Sequence, residues 1–526
     1  MYDLVFSNCL ICDGNAMNEP FMGNVAVDGD TICYAGISPQ SGVRVVNCEG
    51  MILCPGFIDM HSHSDEAFLS GENPESKIFQ GITTEIVGQC GISIVPNNVA
   101  HRHEHLLYLK TVFPQFDDFR LTSVNRMEDY ISALDKIPMV NNCIPLVGHG
   151  ALRIAVMGFD NRKPDAAEMS SMQNLLDREL ESGAWGMSLG LIYPPGSFAE
   201  TDELVELGKV VARHGGIIHA HVRGETSDVF AGVAELIEVG RRSGARVHVS
   251  HLKLMGRAQW GRARELVELI EDAKKEGITV SADQYPYEAS QTGLTALLPK
   301  WAQEGGVSRI LERLEDEYDE VLQGIAAEMD RRGGPERVRI NSWGNEKYDK
   351  RTVGELSRLY KCTPTRVVRK ILIDTDCTAN AIYFSMAGED VDYIMRHEGI
   401  AVGTDGYAVS YDDGKILGAM HPRSFGTFPR FFAHTFGNNM LPIHKAVAKV
   451  TGLPASIMKL GDRGFIKKGQ KADLVLFDPE RIKDTATFDN PYQKPEGIKS
   501  VFVNGSEVVC GTSLTESRPG RVLAGR

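Results

Sequence analysis

Apolar positions along the chain fall into two rhythms, and the change between them divides it. From Tyr2 to Leu53, short apolar runs (Asp3 to Phe6, Val25 to Val27, Thr31 to Tyr34, Arg44 to Val46) are cut by Asp-Gly, Asn and Gly turn signals. That pattern predicts a small unit of strands. From Gly56 the rhythm changes to short buried runs alternating with longer amphipathic stretches. Besides the run that starts at Gly56, those at Ile82 to Val87, Ile144 to Val147, Ala184 to Ser188, Gly216 to His221, Val247 to His251, Val280 to Gln284 and Ala401 to Asp405 read as strands. Helical periodicity fills most gaps, as in Ala166 to Glu181, Glu203 to His214, Val229 to Arg242 and Arg262 to Glu276. Eight such units predict a (β/α)8 barrel.

After Pro454 the strand rhythm returns, in Ala472 to Phe477 and Ser500 to Val503, with a hairpin turn at Val503-Asn504-Gly505-Ser506. The expected fold is therefore α/β: a TIM-like (β/α)8 barrel over residues 56–455 and a small β-sandwich domain built from both termini, 1–55 plus 456–526. A long insertion, at about 288–398, follows the seventh strand and carries charged helical stretches around Ser308 to Arg332. An insertion of that size suits a lid, a substrate-binding subdomain or an oligomerising surface.

Composition narrows the partners. A net charge of -14 without any Lys/Arg-rich run argues against nucleic acid or anionic membrane, and no apolar stretch approaches the ~20 residues of a membrane-spanning helix. The expected partner is a small molecule. Ten scattered cysteines and an amino terminus that reads as a strand, with no charged leader, give cytoplasmic residence as the expectation. Cys9 and Cys12 form a CxxC that no second pair answers, so ordinary buried thiols are expected there.

Catalytic groups of a barrel sit at the C-terminal ends of its strands. The first strand ends in Asp59-Met60-His61-Ser62-His63-Ser64-Asp65, where alternation puts Asp59, His61, His63 and Asp65 on one face as far as the strand lasts. The second ends at Gly88-Gln89-Cys90-Gly91, a thiol between glycines; the fifth supplies His221 and the eighth Asp405. From the sixth comes His251, which shares parity with Val247 and Val249 and so faces inward with them, leaving His248 toward the helices. Imidazole, thiolate and carboxylate suit Zn2+, and an open position would hold a water acidified to a pKa near 7.

The motifs HxHxD, GxCG, HxRxE, SHxK and GTDG, in this order, resemble the amidohydrolase superfamily. The chain is most similar to its N-acyl-D-amino-acid deacylase (D-aminoacylase) family, through Gly148 to Arg153, Tyr285-Pro286-Tyr287, His421 to Arg430 and Pro495 to Gly505. The resemblance implies one tightly held Zn2+ on Cys90, His221 and His251, and a second, weaker position lined by His61, His63 and Asp405. The strand-four region, Trp185 to Gly190, lacks the lysine that bridges two metals in hydantoinases, dihydroorotases and ureases.

By the same resemblance the reaction is hydrolysis of the amide bond of N-acyl-D-amino acids by a metal-activated hydroxide, with Asp405 as general base and then acid. Lys253 and Tyr285 are the expected holders of the substrate's α-carboxylate. Arg223 and Glu225 suit either an ion pair that buttresses His221 or an ordinary loop pair. The chemistry of His149, Arg153, Arg423 and Arg430 suits either substrate binding or the bracing of loops, and His101 to His105 reads as a solvated helix start. Two other readings are another amide hydrolase of the superfamily, acting on a dipeptide, lactam or cyclic amide, and a non-catalytic scaffold. Neither the preferred side chain nor the oligomeric state can be read from these motifs.

Overall fold

A computed structural model describes the chain from Met1 to Gly525 except residues 114, 115, 117, 317 and 318; the side chains of 118–120 and 415–416 also lie outside the described set. The barrel strands follow chain order: Phe57–Asp59, Ile82–Val87, Asn142–Pro145 continued by Val147–Gly148, Gly186–Gly190, Ile217–His221, Arg246–Val249, Val280–Gln284 and Ile400–Val402. Neighbours pair in parallel, and strands such as Ile82–Val87 and Ile217–His221 are buried from end to end, as a sheet covered by helices on its outer face requires. The amphipathic stretches form the covering helices. One of them, Ala166–Glu181, starts at Asp165, whose carboxylate accepts the Ala167 and Glu168 N–H groups while Glu168 reaches back to the cap.

The barrel closes differently between its first and eighth strands. These two short elements share no ladder; they meet at an isolated bridge, Ser62 to Gly406. Backbone bonds there run from Asp405 N–H to His61 C=O (2.8 Å) and from His63 N–H to Gly406 C=O (3.0 Å).

Side-chain direction on the sixth strand is the reverse of the expectation. Val247 lies against Gly240 of the helix Val229–Ser243, whereas His248 points into the barrel, with Nε2 2.8 Å from Asp283 Oδ2 and its ring 4.4 Å from that of His219. His219 in turn meets Gln89 from the second strand's end. His251 still reaches the mouth, because the strand stops at Val249 and the chain turns through His251 at φ +39°. Alternation predicts a face only while the extended conformation lasts.

Both chain ends build the β-sandwich. A nine-stranded mixed sheet joins Tyr2–Ile11, Phe21–Asp28, Thr31–Gly36, Gly42–Asn47 and Ile52–Pro55 to Leu474–Phe477, Ile498–Val503, Ser506–Cys510 and Ser513–Leu514. The junction is the antiparallel pairing of Ile52–Pro55 with Leu474–Phe477. In the hairpin turn Asn504 and Gly505 both have positive φ, as a two-residue type I′ turn needs. Cys9 and Cys12 are buried free thiols, and Cys9 Sγ donates to Cys48 Sγ at 2.9 Å.

The insertion carries its own antiparallel sheet (Ser290–Gly293, Val338–Asn341, Asn380–Tyr383) and a layer of helices. The expected charged helices are Gly306–Glu315 and Asp319–Arg331; residues 317 and 318, between them, lie outside the described residues. Their inner faces bury Ile310, Leu314 and Ile325 in the core that also holds Phe428 and Phe432.

Candidate active site

Six donor side chains from five separate strand ends converge at the barrel mouth. Cys90 Sγ lies 3.2 Å from His61 Nε2, 3.7 Å from His221 Nδ1 and 3.6 Å from His251 Nε2. Asp405 Oδ1 lies 3.2 Å from His63 Nε2 and 3.5 Å from His61 Nε2. Donors bound to one tetrahedral Zn2+ at ~2.0–2.3 Å are separated by about 3.3–3.7 Å. The spacing therefore matches ligands that share an ion. The groups are His61, His63, Cys90 and Asp405, and Cys90, His221 and His251, so Cys90 belongs to both halves of a binuclear metal-binding cluster.

Burial explains why such a set needs a cation. It pushes the His61, His63 and His221 imidazoles down, His221 to about 4, so they stay neutral donors. Burial also drives the Cys90 thiol well up, and a thiolate there requires a positive partner that a divalent ion supplies. On Asp405, burial opposes ionisation, but Arg423 and the facing histidines outweigh it and hold the carboxyl well below its ordinary range.

Local backbone geometry aims these groups. Cys90 (φ +55°), His251 (φ +39°) and Asp405 (φ +51°) all adopt the left-handed conformation that non-glycine residues avoid. Gly88 makes the Cys90 turn possible: its own φ is +75°, and a Cβ there would lie 2.2 Å from the Leu146 carbonyl oxygen. Ser188, in the strand-four segment that lacks lysine, donates to the Gly88 carbonyl and accepts the Gly91 N–H at 3.0 Å, holding the loop from outside.

Outer partners orient the ligands. Glu225 Oε2 is 3.0 Å from His221 Nε2, and Oε1 is 3.3 Å from His251 Nδ1. The expected Arg223–Glu225 pair is absent among the described residues, because Arg223 turns away to Glu235 at 2.9 Å. Lys253 Nζ replaces it, 2.6 Å from Glu225 Oε1 and 2.7 Å from His251 Nδ1. Asp283, which the sequence reading passed over, accepts the His251 N–H at 2.7 Å and stands 4.0 Å from His61 Nδ1. A carboxylate one residue from the end of a mostly buried strand is its one available signal.

Two other expectations change. Asp59 lies behind the metal cluster, bonded to Lys77 and Thr404, and Asp65 opens the helix Asp65–Ser70; neither joins the ligands. The strand ends at Asp59, so its alternation does not carry through to Asp65. In the His101 to His105 stretch, His101 pairs with Glu104 near the surface as a helix start should, but His105 is buried and meets the Ser93 carbonyl at 3.0 Å. Of the undecided residues, His149 and Arg153 both bond Glu203, and Arg153 also holds the Asp160 and Arg162 carbonyls, so this pair braces a loop. Arg430 donates to the Pro286 carbonyl and is 44% exposed.

Arg423 faces the chemistry. It lies 2.7 Å from Asp405 Oδ2 and 5.0 Å from the centre of the Tyr285 ring, and it lines a cleft together with His63, Cys90 and Asp405. The cleft lining includes the apolar Ile92, Val112, Phe159, Ile192, Val307 and Ile310, beside neutral polar groups such as Gln291, Gln303 and Asn380. Tyr285 Oη is buried without a hydrogen-bond partner.

A (β/α)8 barrel with a Cys/His/Asp cluster at its mouth and a cleft above it defines a metal-dependent hydrolase. Residues 44–509 match the amidohydrolase family model. The chain is 34% identical to a D-aminoacylase of Alcaligenes xylosoxydans xylosoxydans, over 99% of this chain and 98% of that one. It is 34% identical to an N-acyl-D-aspartate deacylase of the same organism, over 99% and 95%. The crystal structure of an N-acyl-D-glutamate deacylase from Bordetella bronchiseptica, complexed with zinc and a phosphonate mimic of the tetrahedral intermediate, superposes with a TM-score of 0.82 at 30% identity, covering 99% of each chain. The chain belongs to the amidohydrolase family, in its D-aminoacylase (N-acyl-D-amino-acid deacylase) branch. It is a metal-dependent amide hydrolase.

Proposed function

We propose that this protein hydrolyses N-acyl-D-amino acids, releasing a carboxylic acid and a free D-amino acid, and that it prefers apolar side chains. The observation that carries the reading is the juxtaposition of the Cys90/His61/His63/His221/His251/Asp405 cluster with a cleft in which Arg423 is the one Lys or Arg among the described lining residues. Relatives named for D-amino-acid, D-aspartate and D-glutamate substrates support the chirality.

Cys90, His221 and His251 would hold the tighter Zn2+, and His61, His63 and Asp405 a second ion. Metal bound there supplies Lewis acidity, which acidifies water and polarises an amide carbonyl. Asp405, ionised and pointing at the cleft, takes the water's proton at its carboxylate and later returns it to the departing nitrogen. Arg423 receives the α-carboxylate. The free hydroxyl of Tyr285 donates to the same group, and Lys253 adds positive potential from 5.8 Å behind the Tyr285 ring.

With Arg423 committed to the α-carboxylate, an acidic side chain would enter the Ile192, Val307 and Ile310 wall without a cation, at a cost that disfavours it. Ten free thiols support cytoplasmic residence as part of the same proposal. Release of D-amino acid from N-acetyl-D-Leu, -D-Met, -D-Asp and -D-Glu, against the L-isomers and hydantoins, tests the reading. Turnover of D-Leu and D-Met derivatives is expected; preference for the acidic substrates overturns the side-chain assignment, and turnover of hydantoins alone overturns the deacylase.

A further inference from the structure

The ligands of the second metal position stand on opposite sides of the barrel's weakest joint. His61 and His63 follow the first strand and Asp405 follows the eighth, and these strands share an isolated bridge in place of a ladder. Something other than regular pairing must fix the width of that seam.

Lys77 fills the position. It is fully buried, and its Nζ lies 2.8 Å from Asp59 Oδ2, 3.0 Å from Ser62 Oγ and 2.6 Å from Thr404 Oγ1, with Glu85 Oε2 at 3.7 Å. Asp59 and Ser62 belong to the first-strand side and Thr404 to the eighth. The surrounding bonds tighten the same joint. Asp59 Oδ1 accepts the Thr404 N–H at 2.8 Å and the His61 N–H at 3.2 Å, while Thr404 Oγ1 donates to Asp59 Oδ2 at 2.7 Å. Glu85 Oε2 accepts from Ser62 and Ser64, the two serines that flank His63, at 2.6 Å each. A buried ammonium with every partner in place is rigid, and removing it leaves Asp59 charged and unpaired.

We propose that Lys77 is a positioning residue for the second metal: by pinning Asp59, Ser62 and Thr404 together it sets the separation of His61 and His63 from Asp405. The tighter Cys90/His221/His251 position, on the second, fifth and sixth strands, does not depend on it. The inference rests on the binuclear reading of the site.

Zn2+ titration of metal-free protein, followed by calorimetry, separates the two binding steps. In Lys77→Met the second step weakens by about 10- to 100-fold while the first is unchanged, and kcat falls with little change in KM. Lys449→Met, which removes a buried lysine bonded to the Met395 and His397 carbonyls ahead of the eighth strand and touching none of the metal-site donors, lowers Tm without moving either step. Unchanged steps in folded Lys77→Met, or equal loss of both, overturn the proposal. If Lys77→Met fails to fold, Thr404→Val decides, since it removes one leg of the lattice and leaves the ion pair: selective weakening of the second step supports the role, and unchanged steps reject it. A native chain that binds one ion alone removes the binuclear reading itself.

Discussion

Cys90, His251 and Asp405 carry the burden of the site in backbone conformations that cost energy, and each does so two or three residues past the end of a strand. The sequence made these residues legible because their chemistry is rare at buried strand ends. It did not make legible the groups that orient them. Glu225 is a partial exception: it is legible as a possible buttress of His221, which it is, but spacing cannot tell that Arg223 leans toward Glu235 while Lys253 arrives from another strand to pair with Glu225. Asp283 lies on the seventh strand and Lys77 just before the turn Ile78–Gln80, and their roles exist only once distant strands close. The role proposed for Asp405 has a direct check at this scale. Asp405→Asn keeps the shape and removes the base; kcat should fall by about 10²–10⁴-fold while the zinc held by Cys90, His221 and His251, measured in the same sample, is retained. Near-native turnover would take Asp405 out of the chemistry.

At the scale of elements, periodicity fixed helix and strand type over long segments, as in Ala166–Glu181, whose bounds match the reading to the residue. It failed where an element stops. The sixth strand ends at Val249, two residues before His251, so parity carried back from His251 places Val247 inward and His248 toward the helices, the reverse of what the strand does, while His251 itself sits at the mouth as expected. The loop that follows Val147–Gly148 shows what bracing costs. His149 and Arg153 lie on the helix His149–Met157, and both depend on one buried carboxylate, Glu203, from the helix Thr201–Arg213. Glu203→Gln leaves the Arg153 charge uncompensated and should destabilise the fold by about 3 kcal/mol, read by denaturant unfolding. A change below ~1 kcal/mol would show that the carbonyls of Asp160 and Arg162 suffice for Arg153.

Over the whole molecule, the two-rhythm pattern anticipated a barrel flanked by strands from both ends, because covered parallel strands and half-exposed antiparallel ones differ in pattern. The pairing of Ile52–Pro55 with Leu474–Phe477, more than 400 residues apart, and the sheet inside the insertion were beyond it, since register is decided by partners that sequence distance hides. Buried ionisable groups give the molecule a pH dependence. Burial raises Glu179 to about 7, and its Oε1 has no partner. Its folded pKa exceeds its unfolded value, so its contribution is full below about 4.5 and is lost as pH rises through about 7. Glu179→Gln should therefore be more stable than the native chain at pH 8, by roughly 3 kcal/mol, and equal to it at pH 4. Equal Tm at both pH values would mean the carboxylate is solvated. The measurement that bears most directly on the central claim is zinc K-edge X-ray absorption of the protein loaded with one equivalent of Zn2+. One sulfur at about 2.3 Å beside nitrogen or oxygen donors at about 2.0–2.1 Å is the result predicted for Cys90, His221 and His251, and the sulfur should vanish in Cys90→Ala. A shell of nitrogen and oxygen alone in the native protein would contradict the account.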